Sequence, residues 1–268
     1  MPPDLRPPLS LDLSRYASAK QPRHTDPLLQ ISLVLRGHLV ERVGGATEQA
    51  GPLSLVIKSP DVEHADEYGP DGVLILRLGV RPDAMRGLVD DKTRLPAWRW
   101  CHASLSLEPM LRLLCRTGSE SVPLRPDDAE VADLLATLTG VADGTKRGTP
   151  PAWLERVRQQ LADERGTARV SAIARAAGVH PVYLARCFRR WYGCSVSEHL
   201  AHLRLRRATE LLACPGNTLS RIAYGAGFSD QAHFGNRFRE ATGFSPGRFR
   251  ALVRAAEQRG VARLTTAA

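Results

Sequence analysis

Three polar side chains in the C-terminal half of the chain could recognise the edges of nucleic-acid bases. The guanidinium of Arg186 can donate two parallel hydrogen bonds to guanine, and the amides of Gln231 and Asn236 can pair with adenine. Ala185 and Gly235 lie beside them in the sequence and would let the backbone approach a ligand closely. Long hydrogen-bonding side chains next to very small ones are unusual for a solvated helix face, and they predict a helix in the major groove of DNA.

These residues belong to two copies of one sequence unit. Residues 170–195 and 219–245 repeat with a period of about 50 residues, which is too few copies for a solenoid. In each copy the apolar pattern Ile-Ala-x-x-Ala predicts a short helix, and the following Gly178 or Gly227 allows a tight turn. A second helix then starts at once, so each copy is predicted to be a helix-turn-helix unit.

The ends of both second helices carry recognisable signals. Pro181 suits the first helical position of the first copy. In the second copy Ser229 can cap the helix while Asp230 complements the helix dipole. Gly193 and Gly243 are typical of the position just after a helix end.

Helical spacing separates an inner face from an outer face on each second helix. Leu184 and Phe188 cluster on one side of the first, as do Phe234 and Phe238 on one side of the second. The base-reading residues point the other way. A glycine inside a helix costs about 1 kcal/mol relative to alanine, so Gly235 needs a reason: close approach to DNA, or packing against a neighbouring helix.

A long helix is predicted between the two copies. Ser195 and Glu198 form a capping box at its start, and Pro215-Gly216 ends it. Its arginines can reach phosphates.

Charge is divided unevenly along the chain. The first 151 residues carry 18 Lys and Arg against 20 Asp and Glu, whereas the remaining residues carry 19 against 8. Every basic residue after position 151 is an arginine, the side chain best suited to bidentate contact with phosphate and guanine. This asymmetry favours a nucleic-acid partner for the C-terminal half.

Residues 153–250 resemble the DNA-binding domain of the AraC/XylS family of bacterial transcription regulators, and IAYGAGFSDQAHFGNRFREATGFSPGRFR carries the strongest likeness. In that family two helix-turn-helix units enter successive major grooves, roughly 34 Å apart, on one face of the DNA. The resemblance implies a regulator of transcription that binds a promoter or operator, most commonly as an activator, with RNA polymerase as a further partner.

The resemblance also assigns contact residues, and these largely coincide with the outer faces described above. His180 is a departure, since the family usually has a serine cap in that turn. The predicted base-contacting residues are Val182, Ala185, Arg186, Gln231, Ala232, Gly235 and Asn236. The predicted phosphate-contacting residues are Arg189, Arg204, Arg206, Arg207 and Arg239.

The first half predicts a different architecture. Residues 28–80 contain several runs of alternating apolar and polar residues with turn signals between them, typical of antiparallel strands. Helices are predicted over 107–117 and 127–143, and their apolar faces fit either a dimer contact or packing against the strands. Residues 144–151, rich in Gly, Pro and Thr, predict a linker.

Regulators similar to this one often carry an N-terminal cupin-like barrel that binds a small-molecule effector, and residues 60–64 (PDVEH) resemble a strand end of that barrel. A metal-binding cupin would show a His-x-His pair, a following Glu and a later His, but here His24, His38 and His64 are scattered. We therefore predict no metal, no cofactor, no catalytic residue and no enzymatic activity. His64 is expected to be a structural histidine.

Together these features predict an α+β chain of two domains. Residues 1–143 form a cupin-like antiparallel β-barrel with two helices, and residues 152–255 form an all-α domain of two helix-turn-helix units joined by a long helix. A cytoplasmic location is expected, because no signal peptide or uncharged apolar run of about 18 residues is present. A homodimer is expected as well. The alternatives are a cupin-type enzyme with a helical appendage and a protein that binds DNA without sequence preference.

Overall fold

The structure is a computed structural model in which antiparallel strands occupy the first half of the chain and helices the second. Most of the linker predicted at 144–151 lies outside the residues that the structure describes. The described residues are 8–88, 95–102, 106–116, 122–124, 129–139, 150–163 and 170–259.

The described strands of the first half form one antiparallel sheet, as the sequence predicts. The strands are β1 (Leu9–Tyr16), β2 (Lys20–His24), β3 (Leu29–Val43), β4 (Ala46–Ala50), β5 (Leu55–Lys58), β6 (His64–Val80), β7 (Trp98–Cys101) and β8 (Val122–Pro123). Their order in the sheet is β7-β5-β3-β6-β1-β8, and in addition β2 pairs with β6 and β4 with β3.

The long strands β3 and β6 pair along most of their length and bend together. Their register shifts between Val34 and Arg36 and again after Gly37. Gly37 has φ +80°, and a Cβ atom on it would lie 2.0 Å from the carbonyl oxygen of Gly72. Only glycine permits this approach, so the bend depends on that residue.

The first part of strand β3, residues 29–35, is buried on both faces. Ile31 belongs to the main core, whereas Val34 packs in a second cluster with Tyr68. The polar residues Gln30 and Ser32 are only 3% and 4% exposed. The alternation in the sequence correctly predicts a strand, but its polar positions do not face water because other parts of the sheet cover them.

Three helices accompany the sheet: α1 (Pro82–Leu88), α2 (Glu108–Arg116) and α3 (Ala129–Thr139). Leu111 and Leu114 of α2 and Leu134 and Leu138 of α3 are fully buried in the main core. Of the two uses that the sequence allows for these apolar faces, the structure shows packing within the chain.

The second half is helical and contains the two predicted helix-turn-helix units. None of the helices in the described ranges is long and apolar enough to cross a membrane. The helices are α4 (Ala152–Asp163), α5 (Val170–Ala176), α6 (Pro181–Tyr192), α7 (Val196–Ala213), α8 (Leu219–Gly225), α9 (Gln231–Thr242) and α10 (Pro246–Arg259).

The two units bury their aromatic residues in different cores. The first unit and α4 share a separate cluster around Leu154, Leu184 and Phe188. The second unit, with Phe234 and Phe238, joins the main core of the sheet and of α2. The second unit is therefore attached more closely to the first half of the chain.

Direct hydrogen bonds also join the two halves. The backbone N–H of Leu107, just before α2, donates to the carbonyl of Ala241 on α9 at 3.1 Å. On the other side, His38 of β3 lies 3.2 Å from the carboxylate of Glu210 on α7. Helix α7, which joins the two units, thus also contacts the sheet.

Candidate nucleic-acid interface

Helix α6 turns an apolar face inward and leaves the predicted base-contacting residues outside. Leu184 and Phe188 are fully buried in the core of the first unit. Ala185 and Arg186 are exposed, and Val182 is 55% exposed although it is apolar. The structure therefore brings the three predicted residues of α6 together on one accessible face.

The start of α6 is capped by the residue that departs from the family pattern. The Nδ1 atom of His180 accepts a hydrogen bond from the backbone N–H of Val182 at 3.3 Å, and Pro181 follows at the first helical position. At the other end Gly193 has φ 75° and donates its N–H to the carbonyl of Arg189. Histidine thus performs the capping role that serine performs in the family, and the helix has defined ends.

Helix α9 repeats this arrangement in the second unit. Phe234 and Phe238 are fully buried, whereas Gln231, Ala232 and Asn236 are exposed. The outward face predicted from helical spacing is present here as well, with its small and polar residues adjacent.

The cap of α9 differs from the one predicted. Asp230, and not Ser229, is the N-cap residue: its carboxylate accepts the backbone N–H of His233 at 2.7 Å. Ser229 instead donates its hydroxyl to Asp230 at 2.9 Å. The bond from the His233 N–H holds the pKa of Asp230 below its usual range, which keeps the carboxylate charged at the positive end of the helix dipole.

Gly235 faces open space. A Cβ atom added to it would meet no heavy atom within 4 Å from any other described part of the chain. Packing against a neighbouring helix, the second explanation that the sequence leaves open, is therefore excluded for the helices that the structure describes. The missing side chain leaves room on the outer face of α9, between Gln231 and Asn236.

Two of the three side chains predicted to read bases form no bonds within the described part of the protein. Within the described residues, neither Arg186 nor Asn236 has a hydrogen-bond or ion-pair partner, so their donors and acceptors remain available. The side-chain oxygen of Gln231 is already engaged, because the hydroxyl of Ser220 on α8 donates a hydrogen bond to it at 2.8 Å. The amide NH2 group of Gln231 is left to act as a donor.

The five arginines predicted to contact phosphates occupy different environments. Arg189 and Arg239 are exposed on α6 and α9, beside the predicted base-contacting residues. Arg204 is partly buried on α7. Arg207 is paired with Glu210 at 3.1 Å and its side chain is 30% exposed.

Arg206 of α7 lies at the contact with the sheet domain. Its guanidinium lies against Gly51 of the sheet domain, where an added Cβ atom would come within 2.4 Å of it. Burial lowers the pKa of Arg206, and Glu210 partly offsets this. The structure places this arginine between the two halves, and its phosphate contact stays a prediction.

Two exposed tyrosines near this surface are not among the residues that the sequence predicts for it. Tyr183 on α6 is 54% exposed and stacks on Trp153 with ring centroids 5.8 Å apart, and Tyr224 on α8 is 66% exposed. Both lie off the inner face that helical spacing defines. Their position away from that face could have identified them from the sequence, because an exposed large apolar ring commonly marks an interaction surface.

Comparisons with known proteins match this half of the chain. A helix-turn-helix domain family matches residues 173–252. The HTH-type transcriptional regulator GlxA of Rhizobium meliloti (strain 1021) is 38% identical over 125 residues, which cover 46% of this chain and 38% of that protein. The probable transcription factor PqrA of Proteus vulgaris is 32% identical over 98 residues, which cover 37% of this chain and 77% of that protein.

Among solved structures, the C-terminal domain of AraT, a response regulator from Geobacillus stearothermophilus, is similar with 27% identity and a TM-score of 0.37. The match covers 39% of this chain and 88% of that one. The chain spans less than half the length of the first curated relatives that it matches.

The chain belongs to the AraC-type family of helix-turn-helix transcription regulators. The curated relatives are named as regulators or transcription factors and none of those given above is named as an enzyme.

Proposed function

We propose that the chain regulates transcription by binding specific sites on double-stranded DNA with α6 and α9. The observation that carries this proposal is the shared design of the two helices: each buries a phenylalanine inside and presents small and hydrogen-bonding residues outside. The open space at Gly235 supports it further, because nothing within the described chain uses the room that the glycine leaves.

Each helix would read bases with one strong side chain. In the first unit Arg186 donates two hydrogen bonds to a guanine. In the second unit Asn236 pairs with an adenine while Gly235 lets the backbone approach the groove. Arg189 and Arg239, exposed on the same helices, would hold the flanking phosphates.

A pocket between the two halves supports control by a small molecule. It has a volume of about 280 Å³ and is lined by Leu53 and Leu107 of the first half and by His202 and Arg237 of the second. This volume lies just below the usual range of ligand sites. A ligand bound to both halves would change how they are placed relative to each other, and thereby the spacing of α6 and α9.

On the strength of the family resemblance, the proposal also includes activation of transcription, contact with RNA polymerase, a homodimer, a cytoplasmic location and no enzymatic activity. The apolar faces of α2 and α3 do not support the dimer, because they are buried within the chain.

Selection of random duplex DNA by the full-length protein at a fixed, near-physiological salt concentration tests the proposal. We expect an enriched site with two half-elements about one helical turn apart, because two joined units read successive grooves. Salt-sensitive binding without enrichment would instead support the alternative of DNA binding without sequence preference.

Alanine variants then test which side chains read the bases. Arg186→Ala and Asn236→Ala should each cost about 1–3 kcal/mol of binding free energy on the selected site and relax the preference at one base pair. Arg23→Ala is the matched control, since it removes a positive charge from an exposed side chain of the sheet domain. Equal weakening on all sequences by Arg186→Ala and Asn236→Ala would contradict base reading.

A phosphate contact has a different signature from a base contact. Arg239→Ala should weaken binding to all sequences similarly and reduce the slope of log affinity against log salt by about 0.9. Fluorescence anisotropy over a range of salt concentrations measures both quantities. A loss confined to the selected site would place Arg239 among the base-reading residues.

A further inference from the structure

Two histidines that lie 40 residues apart in the sequence meet in the sheet domain. His24 at the end of β2 is paired directly with His64 at the start of β6, and their ring centroids are 4.0 Å apart. Asp66 lies two positions further along β6 and therefore on the same face. One ligand atom from each of the three residues lies within 4.8 Å of the other two.

Both imidazoles are held in the tautomer that binds metal ions. Nδ1 of His24 lies 2.9 Å from the carbonyl oxygen of Pro22, and Nδ1 of His64 lies 2.9 Å from that of Val62. A carbonyl only accepts hydrogen bonds, so each Nδ1 carries the proton and each Nε2 carries a lone pair. The lone pair of His24 accepts a hydrogen bond from the amide of Gln21 at 3.1 Å, which a metal ion would replace. A backbone carbonyl in this position is the usual outer partner of a metal-binding histidine.

Asp66 contributes a carboxylate oxygen that has no protein partner. Its Oδ2 atom lies 3.3 Å from the hydroxyl of Tyr68, but Oδ1 is buried and finds no hydrogen-bond donor among the described residues. The side chain of Asp66 is 8% exposed. A buried oxygen without a partner is unfavourable, and a cation beside it would remove that cost.

The positive charge nearest to this cluster is already compensated. Lys58 forms a buried ion pair with Glu41 at 2.6 Å, and the same carboxylate accepts the indole N–H groups of Trp98 and Trp100, each at 2.6 Å. Lys58 is therefore engaged with another carboxylate, and Asp66 retains the capacity to bind a cation.

Asp26 is a further carboxylate beside the cluster. Its carboxylate lies 4.0 Å from Nε2 of His64 and is 34% exposed, which provides both a fourth ligand and a route from solvent.

We propose that His24, His64 and Asp66 bind one divalent first-row transition-metal ion, with Asp26 in reach as a fourth ligand. Two imidazoles and a carboxylate suit Zn²⁺, Fe²⁺, Co²⁺ or Ni²⁺, whereas Mg²⁺ and Ca²⁺ prefer oxygen ligands alone. In a tetrahedral site with bonds of about 2.0–2.1 Å the ligand atoms lie about 3.3 Å apart, so the side chains must close by up to about 1.5 Å. His24 and Asp26 can make this movement because neither is fully buried.

The proposed metal site differs from what the sequence alone predicts. The cupin pattern His-x-His is missing, and on that ground the sequence predicts no metal. In the fold the second position after His64 is an aspartate, and the second histidine comes from the neighbouring strand β2. The site does not depend on the proposed DNA binding, because the metal can be measured directly.

The first test titrates untagged, metal-stripped full-length protein with Co²⁺ and follows the visible absorption, then repeats the titration calorimetrically with Zn²⁺ and Mg²⁺. We expect one Co²⁺ or Zn²⁺ per chain with a Co²⁺ spectrum typical of nitrogen and oxygen ligands, and no detectable Mg²⁺ binding. Failure to bind Co²⁺ and Zn²⁺ would overturn the proposal. Binding of Mg²⁺ as tight as that of Zn²⁺ would overturn the assignment to transition metals.

Variants locate the bound ion. His64→Gln and Asp66→Asn should each weaken Zn²⁺ binding at least about 10-fold, as losses near metal sites commonly do. His38→Gln is the matched control: it changes a histidine of the same sheet that bonds Glu210 and lies outside the cluster. Unchanged Zn²⁺ affinity in His64→Gln and Asp66→Asn would overturn the proposal, as would an equal loss in His38→Gln.

Thermal unfolding separates a metal ligand from a residue needed only for folding. Zn²⁺ should raise the Tm of the unchanged protein and of His38→Gln but not that of Asp66→Asn. Without metal, Asp66→Asn should be at least as stable as the unchanged protein, because it removes a buried charge that lacks a full set of partners. A metal-free Asp66→Asn protein that is less stable, yet still stabilised by Zn²⁺, would assign Asp66 to folding alone.

Discussion

Replacing Gly235 by alanine should make the protein more stable and bind DNA less tightly. Gly235 lies in the middle of α9, with a helical backbone and open space where the Cβ would be. Alanine is about 1 kcal/mol more favourable than glycine in a helix interior. Since no described atom of the chain obstructs the new methyl group, we expect the free energy of unfolding to rise by up to that amount.

The DNA complex should respond in the opposite direction. If the backbone at Gly235 approaches the floor or wall of the groove, the methyl group enters a closely packed contact. Inserting one methyl group into a packed interior costs about 1–3 kcal/mol. The dissociation constant on the selected site should therefore rise roughly 5- to 150-fold.

Two measurements on the same protein preparation check this pair of effects. Thermal unfolding should show a Tm increase of roughly 2–4 °C, and fluorescence anisotropy at fixed salt should show the weaker DNA binding. Gly247→Ala is the control, because Gly247 is also helical, also faces open space and lies on α10, outside both reading helices. Unchanged affinity in Gly235→Ala would refute close approach, and a lower Tm would refute the open space.

Three further predictions concern stability, each measured by urea unfolding. Burial lowers the pKa of His199 to about 4 from 6.5. The neutral imidazole therefore contributes fully to the free energy of unfolding above pH 6.5, and this contribution is lost as the pH falls towards 4. His199→Gln should remove up to about 3 kcal/mol of this acid dependence, and an unchanged slope would contradict the burial. His180→Ala should cost about 1 kcal/mol and His180→Ser should not; equal stabilities would mean that the cap is unimportant. Glu41→Gln leaves Lys58 buried and unpaired, which should cost about 3–5 kcal/mol. A second change, Lys58→Met, should restore much of that loss, and a cost below about 1 kcal/mol for Glu41→Gln alone would contradict the buried pair.

The sequence predicted the helical half well because its signals are local. The capping box predicted at Ser195 and Glu198 is present with both of its hydrogen bonds, at 2.6 and 3.1 Å. Gly193 and Gly243 adopt the left-handed conformation predicted for helix ends. The prediction for Ser229 was wrong because the next residue, Asp230, is an equally good cap, and only the backbone conformation decides between them.

Residues separated by long stretches of sequence were harder to predict. His24 and His64 become neighbours through the register of β2 on β6, and a shift of one residue would turn one of them to the other face. Sequence periodicity identifies strands but gives no information about which residues of two strands lie opposite each other. The contact between His24 and His64 therefore follows from the pairing of the two strands and not from the sequence of either strand.

Helix α7 shows why burial on a helix cannot always be read from its own pattern. The buried residues of α7 lie in two separate cores, with Val196 and Leu200 in the core of the first unit and Leu205 and Leu212 in the main core. Arg206, from yet another face, lies against the sheet domain. Helix α7 contacts the first unit, the second unit and the sheet domain, so it has no single water-facing side. Its arginines therefore cannot be assigned to DNA by their position on the helix alone. For the same reason α7 is the element through which a movement of the sheet domain would reach both reading helices.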